Sequence, residues 1–142
     1  MDDLKRQFNR IGMRYTAQRS LVHQLFLGSP CGLTIPEAVS ALKDRRVGET
    51  TIYRTVRALQ EIGRLCWVHD HKGEHRYVAC GSRHSHPIVC TVCGKVAECR
   101  TCELSVLEKL LGLETGYTVE GHHLEFYGKC ADCSRLPAQE TQ

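Results

Sequence analysis

The sequence predicts an α+β protein, with an N-terminal winged helix-turn-helix unit followed by a small α/β unit of antiparallel strands. Three observations carry this. Three short amphipathic stretches with helix start and stop signals fill residues 16–63. Two β-prone runs flanking a turn come directly after them. The C-terminal half sets two C-x-x-C pairs on either side of a strand–helix–strand segment.

In chain order, "TAQRSLVHQLFLGS" opens on Thr16 as an N-cap, places Leu21, Val22, Leu25 and Phe26 on one face, and ends at Gly28. "TIPEAVSALKDR" carries a capping box of Thr34 and Glu37, tolerates Pro36 in its first turn, and turns Val39 and Leu42 inward. "ETTIYRTVRALQEIG" buries Ile52, Val56, Leu59 and Ile62 and stops at Gly63. That leaves Thr51, Arg54, Thr55 and Arg57 towards solvent, with Tyr53 at the edge. A face of hydroxyls, guanidiniums and a phenol suits a DNA major groove, with Arg for phosphates or guanine edges and Thr and Tyr for phosphates and thymine methyls. The ordinary alternative is a solvated helix face. Leu65–His69 and His75–Ala79 then flank "DHKGE" as a hairpin, the wing, with Lys72 at its tip and His71 and Arg76 near enough to touch a nucleic-acid backbone. His69, His71 and His75 read as wing surface residues. Beyond the wing come a strand with the knuckle "CTVCG", a second strand, a helix using Leu104, Leu107, Leu110 and Leu111, two short strands in "YTVEGHHLEFYGKC" broken near Gly121, and the knuckle "CADC".

The composition, 42% hydrophobic and 25% charged in 142 residues, is that of a folded chain of one compact domain or two small ones. No apolar run approaches the ~20 residues that span a bilayer. "MDDLKRQFNR" has no apolar core and does not read as a secretory signal. The expectation is therefore a cytoplasmic protein, with no membrane partner and with reduced thiols. Nine cysteines there point to metal ligands or thiol chemistry more than to disulfides. The net charge of +3 is unevenly spread: residues 1–81 hold 13 Lys/Arg against 8 Asp/Glu, and residues 82–142 hold 6 against 8. A polyanion would meet the first half.

Zinc favours four thiolates in a tetrahedron, and two C-x-x-C knuckles supply them. The spacing points to a structural zinc site of Cys90, Cys93, Cys130 and Cys133, which closes over 36 intervening residues. The rival pairing, Cys99 and Cys102 with Cys90 and Cys93, would be cramped by a five-residue link and would orphan Cys130 and Cys133. "RHSH" places His84 and His86 on an extended segment, where alternate rings point the same way. With His122 or His123 later in the same unit, a second metal site is an even match for ordinary surface histidines.

The stretches "GMRYTAQRSLV", "TTIYRTVRALQEIG", "HRYVAC", "HSHPIVCTVCGKV" and "GYTVEGHHLEFYGKCADC" resemble the ferric uptake regulator family of bacterial metal-sensing repressors, from about Gly12 to Cys133. The resemblance implies a winged-helix DNA-binding domain over residues 1–79, a hinge over 80–83, and a zinc-bound α/β dimerisation domain over 84–142. It also implies a homodimer that binds AT-rich inverted repeats when metal-loaded. Carried over residue by residue, it puts structural zinc on Cys90, Cys93, Cys130 and Cys133. The DNA-reading tyrosine and arginine fall on Tyr53 and Arg54, and a backbone-contacting arginine on Arg19, with Arg14 just upstream. With Thr51 and Arg57 from the exposed helix face, these make the expected DNA-binding set.

The family's interdomain metal site is degraded in this sequence. Ser85 and Pro87 occupy two of its histidine positions, and Cys31 and Gly32 lie where its first-domain histidine would be; Cys66 and Cys80 lie near positions that some zinc-sensing members use. The site on the dimerisation domain is better kept, with His84, His86 and His122 matching. Its helix glutamate is Ser105 here, and Cys102 lies about one turn earlier. The expected sensory zinc set is His84, His86, Cys102 and His122, with Glu103 and Cys99 competing for the fourth place. A thiolate favours zinc over ferrous iron, which makes the chain most similar to the zinc uptake branch. The expectation is a zinc-responsive regulator of zinc homeostasis genes with two zinc ions per chain, one structural and one regulatory. Its partners are double-stranded operator DNA and a second copy, with no small-molecule substrate. An iron-, peroxide- or thiol-responsive regulator of the same family is the alternative. An enzyme is disfavoured, because no carboxylate sits beside "HSH" as an evident general base.

Overall fold

The computed structural model describes residues 2–81 and 84–137. Ser82 and Arg83 of the expected hinge, Met1, and residues 138–142 lie outside the described residues. The elements are α1 (Asp2–Arg10), α2 (Ala17–Leu27), α3 (Ile35–Leu42), a single 3-10 turn (Lys43–Arg45), α4 (Glu49–Glu61), β1 (Leu65–His69), β2 (His75–Ala79), β3 (His86–Cys90), β4 (Val96–Cys99), α5 (Ser105–Thr115), β5 (Phe126–Gly128) and α6 (Ala131–Ser134).

The start signals act where the sequence places them. Thr16 accepts the Arg19 N–H at the head of α2. At α3 the capping box is closed on both sides: Thr34 Oγ1 accepts the Glu37 N–H at 3.2 Å and Glu37 Oε2 accepts the Thr34 N–H at 2.9 Å. The first core gathers Phe8, Val22, Phe26, Ala38, Leu42, Ile52, Val56, Leu59 and Leu65. Helix α1 was not foreseen. Leu4 and Phe8 on this helix, with Ile11 just past its end, close the core from the N-terminal side. Thr55 corrects a second expectation. It is fully buried, and its hydroxyl donates to the Thr51 carbonyl at 2.6 Å, so it belongs to the inner face of α4. Bonded back to its own helix, a threonine hydroxyl can be buried at little cost.

Strands β1 and β2 pair antiparallel, with Leu65 opposite Ala79 and His69 opposite His75. The β2 backbone also pairs with Leu33, through Leu33 and Tyr77. A Cβ at Gly32, whose φ is +68°, would lie 2.7 Å from the Tyr77 carbonyl oxygen, so only glycine admits this approach.

The second sheet runs β4-β3-β5. Strand β3 pairs antiparallel with β4, as expected, and parallel with β5, so the sheet is mixed. The two strands expected in residues 117–127 reduce to β5. Both edges of β3 are already occupied by β4 and β5, and the alternating residues around Val119 pair with no strand among the described residues. Helix α5 carries no buried residue in the single chain; Val106, Leu107, Leu110, Leu111 and Leu113 are all exposed.

The wing is continuous with this second unit. Val68 and Val78 pack with Val89 in a small core of their own. The α2–α3 loop joins it from the other side, where the Val96 N–H donates to the Pro30 carbonyl at 3.0 Å and the Cys31 thiol to the Cys93 carbonyl at 3.5 Å.

Candidate metal centres and nucleic-acid interface

The two knuckles converge. The sulfurs of Cys90, Cys93, Cys130 and Cys133 all lie within 4.8 Å of one another. Cys93 Sγ and Cys130 Sγ are 3.9 Å apart, against roughly 3.8 Å for two thiolates on one tetrahedral zinc. Gly94, at φ +76°, makes the first knuckle turn by donating its N–H to the Cys90 carbonyl at 2.9 Å. The N-cap of α6 is Cys130, whose own N–H points at Cys90 Sγ. Electrostatics there fit a dication. The backbone N–H groups of Cys93, Cys130 and Val92 hold the Cys90 thiol down at about 5. The Cys130 side chain, by hydrogen bonding, pushes Cys133 up to about 12. Sulfurs this crowded resist ionising together without a cation to share. The donor set fits zinc.

A second cluster joins His86, Cys102 and His122. His122 Nε2 lies 3.4 Å from both Cys102 Sγ and His86 Nε2. Roughly 3.3–3.6 Å separates such donors around one tetrahedral zinc, so these three residues also fit that ion. His86 is buried on β3. Burial, then the neighbouring His122, lowers its pKa and favours the neutral imidazole that ligates metal. Cys102 reaches the cluster from the turn between β4 and α5.

The other nominated residues fare differently. His84 lines the same cavity, of about 360 Å³, but stands outside the close cluster because it precedes the paired strand on an exposed turn. Glu103 and Cys99 are also outside it, and the Cys99 thiol turns to the Thr101 carbonyl instead. Sequence reasoning missed Glu108. Its Oε1 accepts from His122 Nδ1 at 2.9 Å, leaving Nε2 for the cluster. The available signal was its position one helical turn beyond Ser105.

Where the family's interdomain site would be, Cys66 and Cys80 are joined by a disulfide, with Cα atoms 5.8 Å apart across the open end of the wing. A small cavity there is bounded by this pair and by Ser85 and Pro87. The expectation of reduced thiols throughout is not met at these two positions, because the hairpin brings them side by side. Seven cysteines remain free.

Gly12, Met13, Arg14, Arg19, Arg54 and Arg57 line an open cleft of about 590 Å³. Tyr53 is half exposed beside Arg54 on α4. The Arg19 guanidinium donates to the Arg14 carbonyl and sits over the Phe8 ring, so it is held in place. Thr51 is half-buried at the first turn of α4. Arg76 does not join this surface. It is engaged by Glu37 at 2.7 Å and by the Cys31 and Gly32 carbonyls, with only 16% of its side chain exposed. Lys72 remains exposed at the wing tip.

A winged helix joined to a small α/β unit with two cation-ready clusters, one of four thiols and one of two imidazoles and a thiol, defines a metal-binding protein with a nucleic-acid-type fold. A model of the ferric uptake regulator family matches residues 10–127, and the chain belongs to that family, whose members are transcription regulators and not enzymes.

The chain is 28% identical over 147 residues to the ferric uptake regulation protein of Campylobacter jejuni (97% of this chain, 93% of the relative). It is 29% identical over 124 residues to the zinc uptake regulation protein of Mycobacterium tuberculosis (86% and 95%). To the peroxide operon regulator of Bacillus subtilis it is 29% identical over 126 residues (87% and 86%). Its fold is similar to that of a solved structure described as holo XcZur, with a TM-score of 0.75 and 20% identity over 95% of this chain and 96% of the other. A zinc uptake regulator complexed with zinc and DNA has a TM-score of 0.70 at 23% identity, over 94% of each.

Proposed function

We propose that this chain is a zinc-responsive, dimeric transcriptional regulator that binds AT-rich inverted-repeat operators when zinc-loaded and controls zinc homeostasis genes. The observation that carries the reading is the approach of Cys102 Sγ to His122 Nε2 beside His86. A thiolate with imidazoles is a softer donor set than the nitrogen–carboxylate sets that suit ferrous iron. Cys90, Cys93, Cys130 and Cys133 would hold the structural zinc, and its chemistry there is to bind four sulfurs and so couple metal to folding. His86, Cys102 and His122, with His84 on the same cavity wall, would hold the regulatory zinc. Strand β3 would thereby be tied to the turn before α5 and to the segment after it.

DNA would be met by Tyr53, Arg54 and Arg57 on α4, with Thr51 near its N-terminus and Arg14 and Arg19 on phosphates. The exposed leucines of α5 suit a second copy, which would set the two winged helices on successive major grooves. The zinc uptake regulator solved with zinc and DNA supports this reading by likeness of fold.

The test is binding to a duplex selected from random sequence by the zinc-loaded protein. The wild type gains affinity as buffered zinc rises, and Cys102→Ser loses most of that gain. Unchanged zinc dependence in Cys102→Ser would assign the fourth ligand elsewhere, and duplex affinity independent of metal in the wild type would reject zinc sensing.

The second reading is an iron- or peroxide/thiol-responsive regulator. The Cys66–Cys80 disulfide favours its thiol form. In that case a dithiol reductant, and not a chelator, would control duplex binding.

A further inference from the structure

Beside the small Val68–Val78–Val89 core, the wing meets the second unit through a stack of rings. Trp67, at the centre of β1, lies against His123 with ring centroids 3.8 Å apart and planes within 12°. His75, on β2, stacks on the same indole at 5.0 Å. Two residues beyond His123, Glu125 is almost enclosed, with 8% of its side chain exposed. One of its oxygens faces His123 Nε2 at 3.2 Å. The other takes the His69 backbone N–H and the His69 ring, each at 3.3 Å. The Tyr127 hydroxyl donates to it as well. Burial raises the carboxyl pKa, but the bonds from Tyr127, His123 and His69 outweigh it and keep the group below its ordinary value. The carboxylate is thus a fixed acceptor between the wing and the strand that leads to the second knuckle.

His123 directly follows His122. One peptide unit therefore separates the imidazole in the metal-ready cluster from the imidazole on the wing. Orienting His122 by its contacts with Cys102, His86 and Glu108 orients this backbone, and with it the plane that Trp67 rests on. Aromatic faces have a preferred offset and tilt, so a displaced plane disfavours the stack.

We propose that the His123–Trp67 stack, pinned by Glu125, is the link through which the His86–Cys102–His122 cluster sets the position of the wing. His123 and Glu125 are positioning residues: they stand outside the cluster of His86, Cys102 and His122. This rests on reading that cluster as the regulatory zinc site.

Trp67 is the only tryptophan in the chain, so its fluorescence reports the stack without a label. The experiment starts from full-length protein carrying only its more tightly held zinc and titrates buffered Zn²⁺. It follows metal uptake, tryptophan emission and amide hydrogen exchange across residues 65–79. In the wild type, uptake of the further zinc changes Trp67 emission and slows exchange in the wing about fivefold or more, the lower end of typical coupling between sites. His123→Ala still takes up that zinc but loses both responses, and His123→Phe, which keeps a stacking face, restores the slowed exchange. Full wing protection in zinc-loaded His123→Ala would overturn the link, as would a wild type that takes up the further zinc with no change in emission or exchange. A wild type that takes up no further zinc would instead remove the regulatory-site reading, and the link with it.

Discussion

Glu108 shows what a single side chain contributes to the second cluster. With Oε1 on His122 Nδ1, it selects the tautomer and aims Nε2 at Cys102 and His86. Carboxylates behind metal-bound histidines typically contribute 10–100-fold to metal affinity. Glu108→Gln should therefore weaken the second zinc by about tenfold or more while leaving the four-cysteine site intact, as read by competition with a zinc-binding dye. Equal loss at both sites, or none at either, would deny it this role. Cys102 and His122 could be named from the sequence because a resemblance supplied positions and the missing carboxylate prompted a search one turn away. Glu108 was harder to find, since it acts on a ligand from behind, and its one trace in the sequence is a place one helical turn beyond Ser105. Thr55 was misplaced for a related reason: helical periodicity puts it near the boundary of the apolar stripe, and only its bond to the Thr51 carbonyl shows which side it takes.

Among the elements, α3 carries the clearest pH dependence. The Thr34 N–H, and then the Arg76 guanidinium, hold the Glu37 carboxyl below its ordinary value of 4.5 despite an opposing contribution from burial. A depressed pKa stabilises the fold above the unfolded value and loses that contribution as pH falls through the folded one. Glu37→Gln, which keeps the capping-box acceptor but loses the charge facing Arg76, should cost roughly 0.3–1 kcal/mol near neutral pH, the scale of a partly exposed carboxylate at a helix N-terminus. The difference should fade below pH 4.5, checked by denaturant melts at several pH values. A gap that stayed constant down to pH 3 would mean the charge is irrelevant. Local chemistry made residues 16–79 readable, because caps, stops and strand alternation are written within a few residues of where they act. The second sheet was less readable. The parallel pairing of β5 with β3 depends on a long return through α5, and no short-range signal marks it. Helix α1 was hidden because its polar surface outweighs the few apolar residues that dock it.

At the scale of the whole molecule, one face remains uncovered. Helix α5 exposes Val106, Leu107, Leu110 and Leu113, with Leu110 57% exposed in the single chain. A second copy would cover it. Leu110→Glu should weaken self-association at least tenfold, about 1.4 kcal/mol, in sedimentation equilibrium, and reduce binding to the selected inverted repeat in step. A variant that stayed dimeric would place the interface elsewhere. The central claim, that zinc occupancy of a second site governs DNA binding, is tested most directly by one titration. Binding to the selected duplex is followed against buffered Zn²⁺, Fe²⁺ and Mn²⁺, with bound metal counted on the same samples. The account predicts two zinc ions per chain, matching the two clusters, with duplex affinity rising as the second fills and zinc acting at far lower free concentration than the other metals. One zinc per chain with no metal-dependent change in affinity, or a response that follows iron or manganese, would contradict it.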